Sequence, residues 1–351
     1  MQDATGFLAD IAMANSPLLV WLEFGVCLAV IGVAGVKLSV YGDVIAEKTG
    51  LGGSWIGFIL LALVTSLPEL VNGISSVTIA AAPEIAAGDI LGSCVFNLSI
   101  LVILDFMQRG EPLYARASHG HILSAGFGIV LIGFVGFSIL IASNGSSMAV
   151  GPVGIYSYVI VLLYLIAMSS VYRYETQLNA AATGNESNRH PNTTLGHAIA
   201  RFCGAALFVV AAGVFLPFVA KEIAVQMDWH QSFVGTLLVA ATTSVPELVV
   251  SVSALRLGAV DMSIANLLGS NLFDIVILAI DDLLYAPGPL FSAISPIHAV
   301  SAFSAVMMTG AVVVGVIYRP KTRVLRAVGW VSIFLFSIFL MNSYALFLHS
   351  R

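Results

Sequence analysis

Thr65-Ser66-Leu67-Pro68-Glu69 lies in the middle of an apolar run and recurs 178 residues later as Thr243-Ser244-Val245-Pro246-Glu247. Each copy sets two hydroxyls, a proline and a carboxylate where a membrane-spanning helix would be apolar. A proline inside a helix removes a backbone hydrogen bond and pushes away the carbonyl four residues back, here Val64 and Thr242. In hydrocarbon such a carbonyl must find a partner or line a polar cavity. An ionisable side chain at that depth marks an ion or proton pathway by default. Two interrupted segments at matching places in two halves are a pointer to a transporter with its site near the midplane.

The composition supports a membrane setting. Of 351 residues, 59% are hydrophobic and 9% charged, with a mean hydropathy of +0.99, whereas soluble domains carry roughly 25% charged residues. The net charge of −5 gives no basis for nucleic-acid binding. Asp3 and Asp10, with no Lys or Arg among the first sixteen residues, have the wrong sign for a signal peptide, so the first apolar run is expected to stay as a helix. Cys27, Cys94 and Cys203 share no short spacing and read as packing residues.

Ten runs are long enough to cross a bilayer core of ~30 Å: 17–41, 54–80, 85–106, 121–142, 152–172, 198–226, 232–255, 259–281, 296–318 and 325–347. With the N-terminus outside, all of the 14 Lys and Arg residues except Lys221 and Arg351 fall on the inward side. That asymmetry predicts an N-out, C-out topology. Residues 173–197 are polar and read as a cytoplasmic linker between two five-helix repeats, 1–172 and 198–351. Five is odd, so the second half enters the membrane in the opposite sense and the halves are expected to be inverted repeats. The expected fold is therefore an all-α polytopic membrane protein of ten helices.

The duplication extends past the proline motif. Gly57 matches Gly235 and Ser54 matches Ser232 at the same offset of 178. Further on, the segment from Gly88 to Asn97, containing Gly92-Ser93, matches the segment from Ala265 to Asp274, containing Gly269-Ser270, at an offset of 177. Ser93 and Asn97, like Ser270 and Asp274, are four apart and share a helix face. Gly92 and Gly269 beside that face permit close helix approach. Brought together, the four segments would line one cage with Glu69, Glu247, Asp274, Asn97, the hydroxyls of Thr65, Ser66, Ser93, Thr243, Ser244 and Ser270, and backbone carbonyls. A lining of oxygen suits hard cations, and none of the seven histidines falls in these motifs. Buried carboxylates that must be neutralised by one cation or another are the physical basis of exchange.

These motifs resemble the cation/Ca2+ exchanger superfamily, most closely its prokaryotic sodium/calcium exchanger branch, over nearly the whole chain. The resemblance implies a multi-pass protein of a prokaryotic cell (inner) membrane that carries Ca2+ and Na+ as transported ions and uses no organic cofactor. It implies a Ca2+ site on Glu69 and Glu247 with the carbonyls of Thr65 and Thr243, and a neighbouring position bounded by Asn97 and Asp274. It also implies flanking Na+ sites, one near Ala62, Thr65, Ser66 and Ser93, the other near Ala240, Thr243, Ser244 and Ser270, with the first and sixth spans sliding across a fixed core. Asp89 stands where that family's motif has a neutral amide; it reads either as an extra proton or cation site or, preferably, as a helix-capping acid. The family's Ca2+/H+ branch carries a Gly-Asn-x-x-Glu type of motif that is missing here, which favours Na+ over H+.

Competing readings make other demands. An intramembrane hydrolase would need a Ser-His pair or two acids flanking a scissile bond, and the histidines lie in loops or near span ends. A channel's ring of acids comes from an oligomer axis, whereas one chain here supplies the whole cage, so the functional unit is expected to be a monomer. Asp281-Asp282 reads as a solvated helix end or, more weakly, as a cation-attracting vestibule, and Asp105, Glu111, Asp261 and Glu222 as helix-end acids of no consequence for the site.

Overall fold

The computed structural model describes residues 16–49, 62–108, 111–145, 148–179, 193–320, 322–324 and 328–350. Ser54 and Gly57, with the start of the expected second span, lie outside the described residues, as does the middle of the expected linker. The described chain is helical apart from one two-residue hairpin, Ala149–Val150 with Val153–Gly154, and an isolated bridge between Val324 and Val328.

The elements in order are α1 (Pro17–Lys48), α2 (Leu67–Thr78), α3 (Pro83–Met107), the short α4 (Leu113–Arg116), α5 (Gly120–Ser143) and α6 (Ile155–Asn179). The second half contributes α7 (Leu195–Met227), α8 (Gln231–Thr243), α9 (Val245–Arg256), α10 (Val260–Leu284), α11 (His298–Tyr318) and α12 (Trp330–His349). Among the described residues eight helices are long and apolar enough to cross a membrane, or nine if the bent pair α8–α9 is one span. α1 runs seven residues beyond its expected end at 41, and α6 and α7 both reach into the expected 173–197 linker.

Proline sets where several of these helices begin. Pro17, Pro68, Pro83 and Pro246 all stand in the first turn, where a missing N–H costs nothing and the fixed φ is already helical. Pro68 and Pro246 therefore do not bend a continuous helix. They open a second one after a break at Ser66 and Ser244, and α8 and α9 meet at 43°. A π-helical turn at Gly235–Val239 widens α8 just before that break.

α3 and α10 form the centre, with 67% and 72% of their apolar windows buried against 33% for α1 and α12. Their aliphatic faces (Ile90, Leu98 and Leu101; Ile264, Ile275 and Leu278) share one core cluster with α5 and α11. α1 and α7 pack in a separate cluster built on Phe24, Ile31, Leu216 and Ile223. Glycine permits the tightest crossing. A β-carbon on Gly92 of α3 would stand 2.4 Å from the carbonyl oxygen of Thr236 and 2.7 Å from the methyl of Ala240 in α8. No side chain fits there, so the backbones touch.

Four acids fix the ends of α3 and α10 by holding elements of the opposite half. Glu84 accepts from the Ser295 amide and from His298 Nε2, both at 2.7 Å. Its counterpart 177 residues on, Asp261, accepts from the Ser118 amide at 2.7 Å and pairs with His121 Nε2 at 2.9 Å. At the other ends, Asp105 accepts from the amides of Leu113 and Gly329 and from Ser332 Oγ, at 2.9, 2.7 and 2.7 Å. Asp282, again 177 residues on, accepts from Gly154 N, Leu290 N, Tyr156 OH and Ser157 Oγ, at 2.9, 2.7, 2.6 and 2.5 Å. The reading of Asp281-Asp282 as a solvated end is thereby corrected, since both residues are fully buried. Asp105 and Asp261 are likewise structural clamps and more than incidental helix-end acids. Charge-assisted bonds to backbone N–H groups are what make a buried carboxylate tolerable.

Candidate functional site

The two helix breaks and the middles of α3 and α10 meet at the centre of the bundle. Thr65 leads into the first break at Ser66, Thr243 into the second at Ser244, and Glu69 and Glu247 lie in the first turns of α2 and α9. An N-terminal helical turn carries partial positive charge, which suits a carboxylate there. Every one of these six side chains, with Ser93, Asn97, Ser270 and Asp274, is buried. The charges of Glu247, Asp274 and Asp89 all act on Glu69, so burial has gathered the acids and not merely hidden them.

The hydroxyls pair across the two halves in matching ways. Thr65 Oγ1 lies 3.3 Å from Ser270 Oγ, and Thr243 Oγ1 lies 3.4 Å from Ser93 Oγ. Ser66 and Ser270 make long contacts, 3.4 and 3.5 Å, to the same oxygen of Glu247. Asn97 Nδ2 donates to Asn271 Oδ1 at 3.0 Å, and Asn271 Nδ2 donates to the carbonyl of Cys94 at 3.2 Å. Asn271 thus holds Asn97 in place, a role the motif comparison did not assign. The clue in the sequence was an amide between Ser270 and Asp274 where the first half has Cys94.

The acceptors are left over. Both oxygens of Glu69, both of Asp274, Oε2 of Glu247 and Oδ1 of Asn97 are buried without a hydrogen-bond donor. A buried acceptor normally has a partner, and an unpaired charged one is costly. No three His, Cys, Asp or Glu side chains stand close enough to chelate one ion among the described residues. A cation at this centre would therefore be shared between at most two carboxylates at a time, with hydroxyl, amide and carbonyl oxygens completing its shell. The carbonyls of Ala62 and Ala240 are already engaged. Ala62 accepts from Ser66 N and Thr65 Oγ1, both at 3.0 Å, and Ala240 from Ser244 N and Thr243 Oγ1 at 3.0 and 3.3 Å. An ion using either oxygen would have to displace or share with a threonine hydroxyl.

Asp89 is not a cap. It sits in the second turn of α3, fully buried, with Asn72 Nδ2 donating to one oxygen at 2.6 Å and Thr243 Oγ1 to the other at 2.8 Å. The first-turn acid of α3 is Glu84, which faces α11.

Membrane-length helices around a centre rich in unpaired carboxylates are the construction of an ion transporter. The chain belongs to the sodium/calcium exchanger protein family, whose pattern matches residues 19–167 and again residues 197–345. Among related proteins, the uncharacterized membrane protein MJ0091 of Methanocaldococcus jannaschii is 27% identical over 231 residues, covering 66% of this chain and 70% of that protein. Among solved structures, the H+/Ca2+ exchanger CAX superposes with a TM-score of 0.68 at 13% identity, covering 99% of this chain and 91% of that one. The sodium-calcium exchanger NCX_Mj superposes with a TM-score of 0.59 at 21% identity, covering 93% and 98%. At these identities the two structures share the fold. Family and fold make this a multi-pass membrane protein of prokaryotic type and of the cation/Ca2+ antiporter class.

Proposed function

We propose that this protein is a secondary antiporter exchanging Ca2+ for Na+ across the plasma membrane by alternating access. Its ions are held at the junction of Glu69, Glu247, Asn97 and Asp274. Thr65, Ser66, Ser93, Thr243, Ser244 and Ser270, with the carbonyls near Ala62 and Ala240, complete the two flanking Na+ positions. The chain is read as ten spans in two inverted five-helix repeats, 1–172 and 198–351, N-out and C-out, acting as a monomer. The observation that carries this reading is the surplus of acceptors: Glu69, Asp274, Glu247 and Asn97 together present buried oxygens with no donor. Cations or protons would neutralise such a set, and a centre that must stay neutralised resists changing sides without cargo.

The separate packing of α1 and α7 supports a moving element. Gly35 of α1 lies against Pro246, where a β-carbon would be 2.5 Å from the ring, and Gly213 of α7 lies against Val71, at 3.0 Å. Each long helix therefore abuts the proline-led helix of the other half through a glycine, a smooth contact suited to sliding. Proton coupling is the second reading, supported by the likeness to an H+/Ca2+ exchanger. Uptake of radiolabelled Ca2+ into Na+-loaded liposomes at clamped pH tests both. Uptake driven by an outward Na+ gradient and lost in Glu69→Gln supports Na+ exchange. Uptake indifferent to Na+ but driven by a pH gradient replaces it with proton coupling.

A further inference from the structure

Asp281 and Asp282 are neighbours on α10 and both are fully buried, yet their surroundings are opposite. Asp282 has four donors. Asp281 has none on either oxygen. Its carboxylate lies against Gly73 of α2, where a β-carbon would be 2.5 and 2.8 Å from the two oxygens. The next residue back on α2, Asn72, is fully buried, spends its Nδ2 on Asp89 and leaves its Oδ1 unpaired. A second buried carboxylate, Asp89, lies within electrostatic reach of Asp281. Asp281 lies seven residues beyond Asp274 on the same helix, about 10 Å along the axis at 1.5 Å per residue. Asp281 itself is therefore outside the central junction, to which Asp89 is tied by the bond from Thr243.

The repeat shows that the fold does not require charge here. At the offsets of 177 and 178, Asp281 corresponds to Leu104, Asp89 to Asn266, Asn72 to Val250 and Gly73 to Ser251. On that side the polar groups answer one another: Asn266 Nδ2 donates to Ser251 Oγ at 3.1 Å, and Ser263 Oγ to the Ser251 carbonyl at 2.8 Å. One half closes the position with leucine, a serine and an amide. The other removes a side chain at Gly73 and admits a carboxylate with no donor.

We infer that Asp281, seated against Gly73 of α2, forms the core of a binding station for one monovalent alkali cation, Na+. The available atoms are all oxygens, as a hard cation requires. Both oxygens of Asp89 are already stabilised by neutral donors, which leaves one uncompensated carboxylate and calls for a single positive charge. Asp281 would hold this ion whatever drives exchange at the central junction, and its place on one side of the pseudo-symmetry makes the two approaches to that junction unequal.

The test is equilibrium binding of radiolabelled Na+ to the purified full-length protein, counted per chain, with and without saturating Ca2+. The wild type is expected to keep about one Na+ per chain that Ca2+ does not displace. Asp281→Asn and Asp281→Leu, the latter reproducing the Leu104 side, should each bind one Na+ fewer. Gly73→Ala, which places a methyl on the carboxylate, should weaken this Na+ at least tenfold, whereas Glu69→Gln should retain it. Full Na+ binding in both folded Asp281 variants would overturn the proposal, as would loss of the Ca2+-resistant Na+ in Glu69→Gln. Failure of Ca2+ to displace the remaining Na+ would fault the central exchange reading alone, since the step of one ion in the Asp281 variants would still be measured.

Discussion

Glu69 and Asp282 are carboxylates of equal burial, 1% and 0% exposed, and the structure predicts opposite results for neutralising them. Asp282 accepts two bonds on each oxygen: Gly154 N and Ser157 Oγ on one, Tyr156 OH and Leu290 N on the other. In Asp282→Asn one oxygen becomes an NH2 that faces two donors. A serine or tyrosine hydroxyl can turn to accept, but a backbone N–H cannot. Losing one charge-assisted bond of about 1.5–3 kcal/mol and leaving a buried N–H unpaired amounts to about 3 kcal/mol. At about 2–4 °C per kcal/mol, the melting temperature in detergent should fall by roughly 6–12 °C. Glu69 has no donor on either oxygen. Glu69→Gln removes an uncompensated buried charge, so at alkaline pH the ion-free protein should melt a few degrees higher, about 1–2 kcal/mol more stable. Saturating Ca2+ should stabilise the wild type and not this variant, because such a gain depends on binding to the folded state alone. Differential scanning fluorimetry with chelator and with Ca2+ measures both. Equal losses in the two variants, or a Glu69→Gln protein that melts lower without ions yet keeps its Ca2+ response, would refute the division into clamp and cargo site.

Further outcomes follow from single contacts. Gly92→Ala forces a methyl to within 2.4 Å of the Thr236 carbonyl oxygen and should cost about 2–3 kcal/mol, read as a lower melting temperature and poor recovery; Gly25→Ala, which meets nothing within 4 Å, should be tolerated and serves as control. Thr243→Val removes the donor to Asp89 and the partner of Ser93, and should raise the Na+ concentration giving half-maximal exchange severalfold in a liposome flux assay. Asn97→Asp turns Asp274's motif partner into a second carboxylate and takes the amide from Asn271; the ion-free protein should be less stable, with tighter divalent binding by calorimetry. His298→Ala strips Glu84 of a side-chain partner and leaves it the Ser295 amide, a loss of about 1–3 kcal/mol in thermal unfolding.

Composition and the period of the apolar runs settled that the chain lives in a membrane, because only helices of bilayer length satisfy their backbone there. The paired Thr-Ser-x-Pro-Glu and Gly-Ser motifs named the residues of the centre, since polar groups that recur at a fixed offset inside apolar runs have no packing reason to be there. Local sequence could not say that Pro68 and Pro246 begin new helices, as proline suits both a kink and a first turn; the neighbouring backbone decides. Nor could it sort the acids. Asp282 looked like an exposed helix end and Asp89 like a cap, yet both are buried, the first among donors on the hairpin and on α6, the second between Asn72 and Thr243. Those partners lie up to 154 residues away in sequence. A carboxylate's role depends on how many donors surround it, and that number is set by which helices cross beside it, a property of tertiary packing alone.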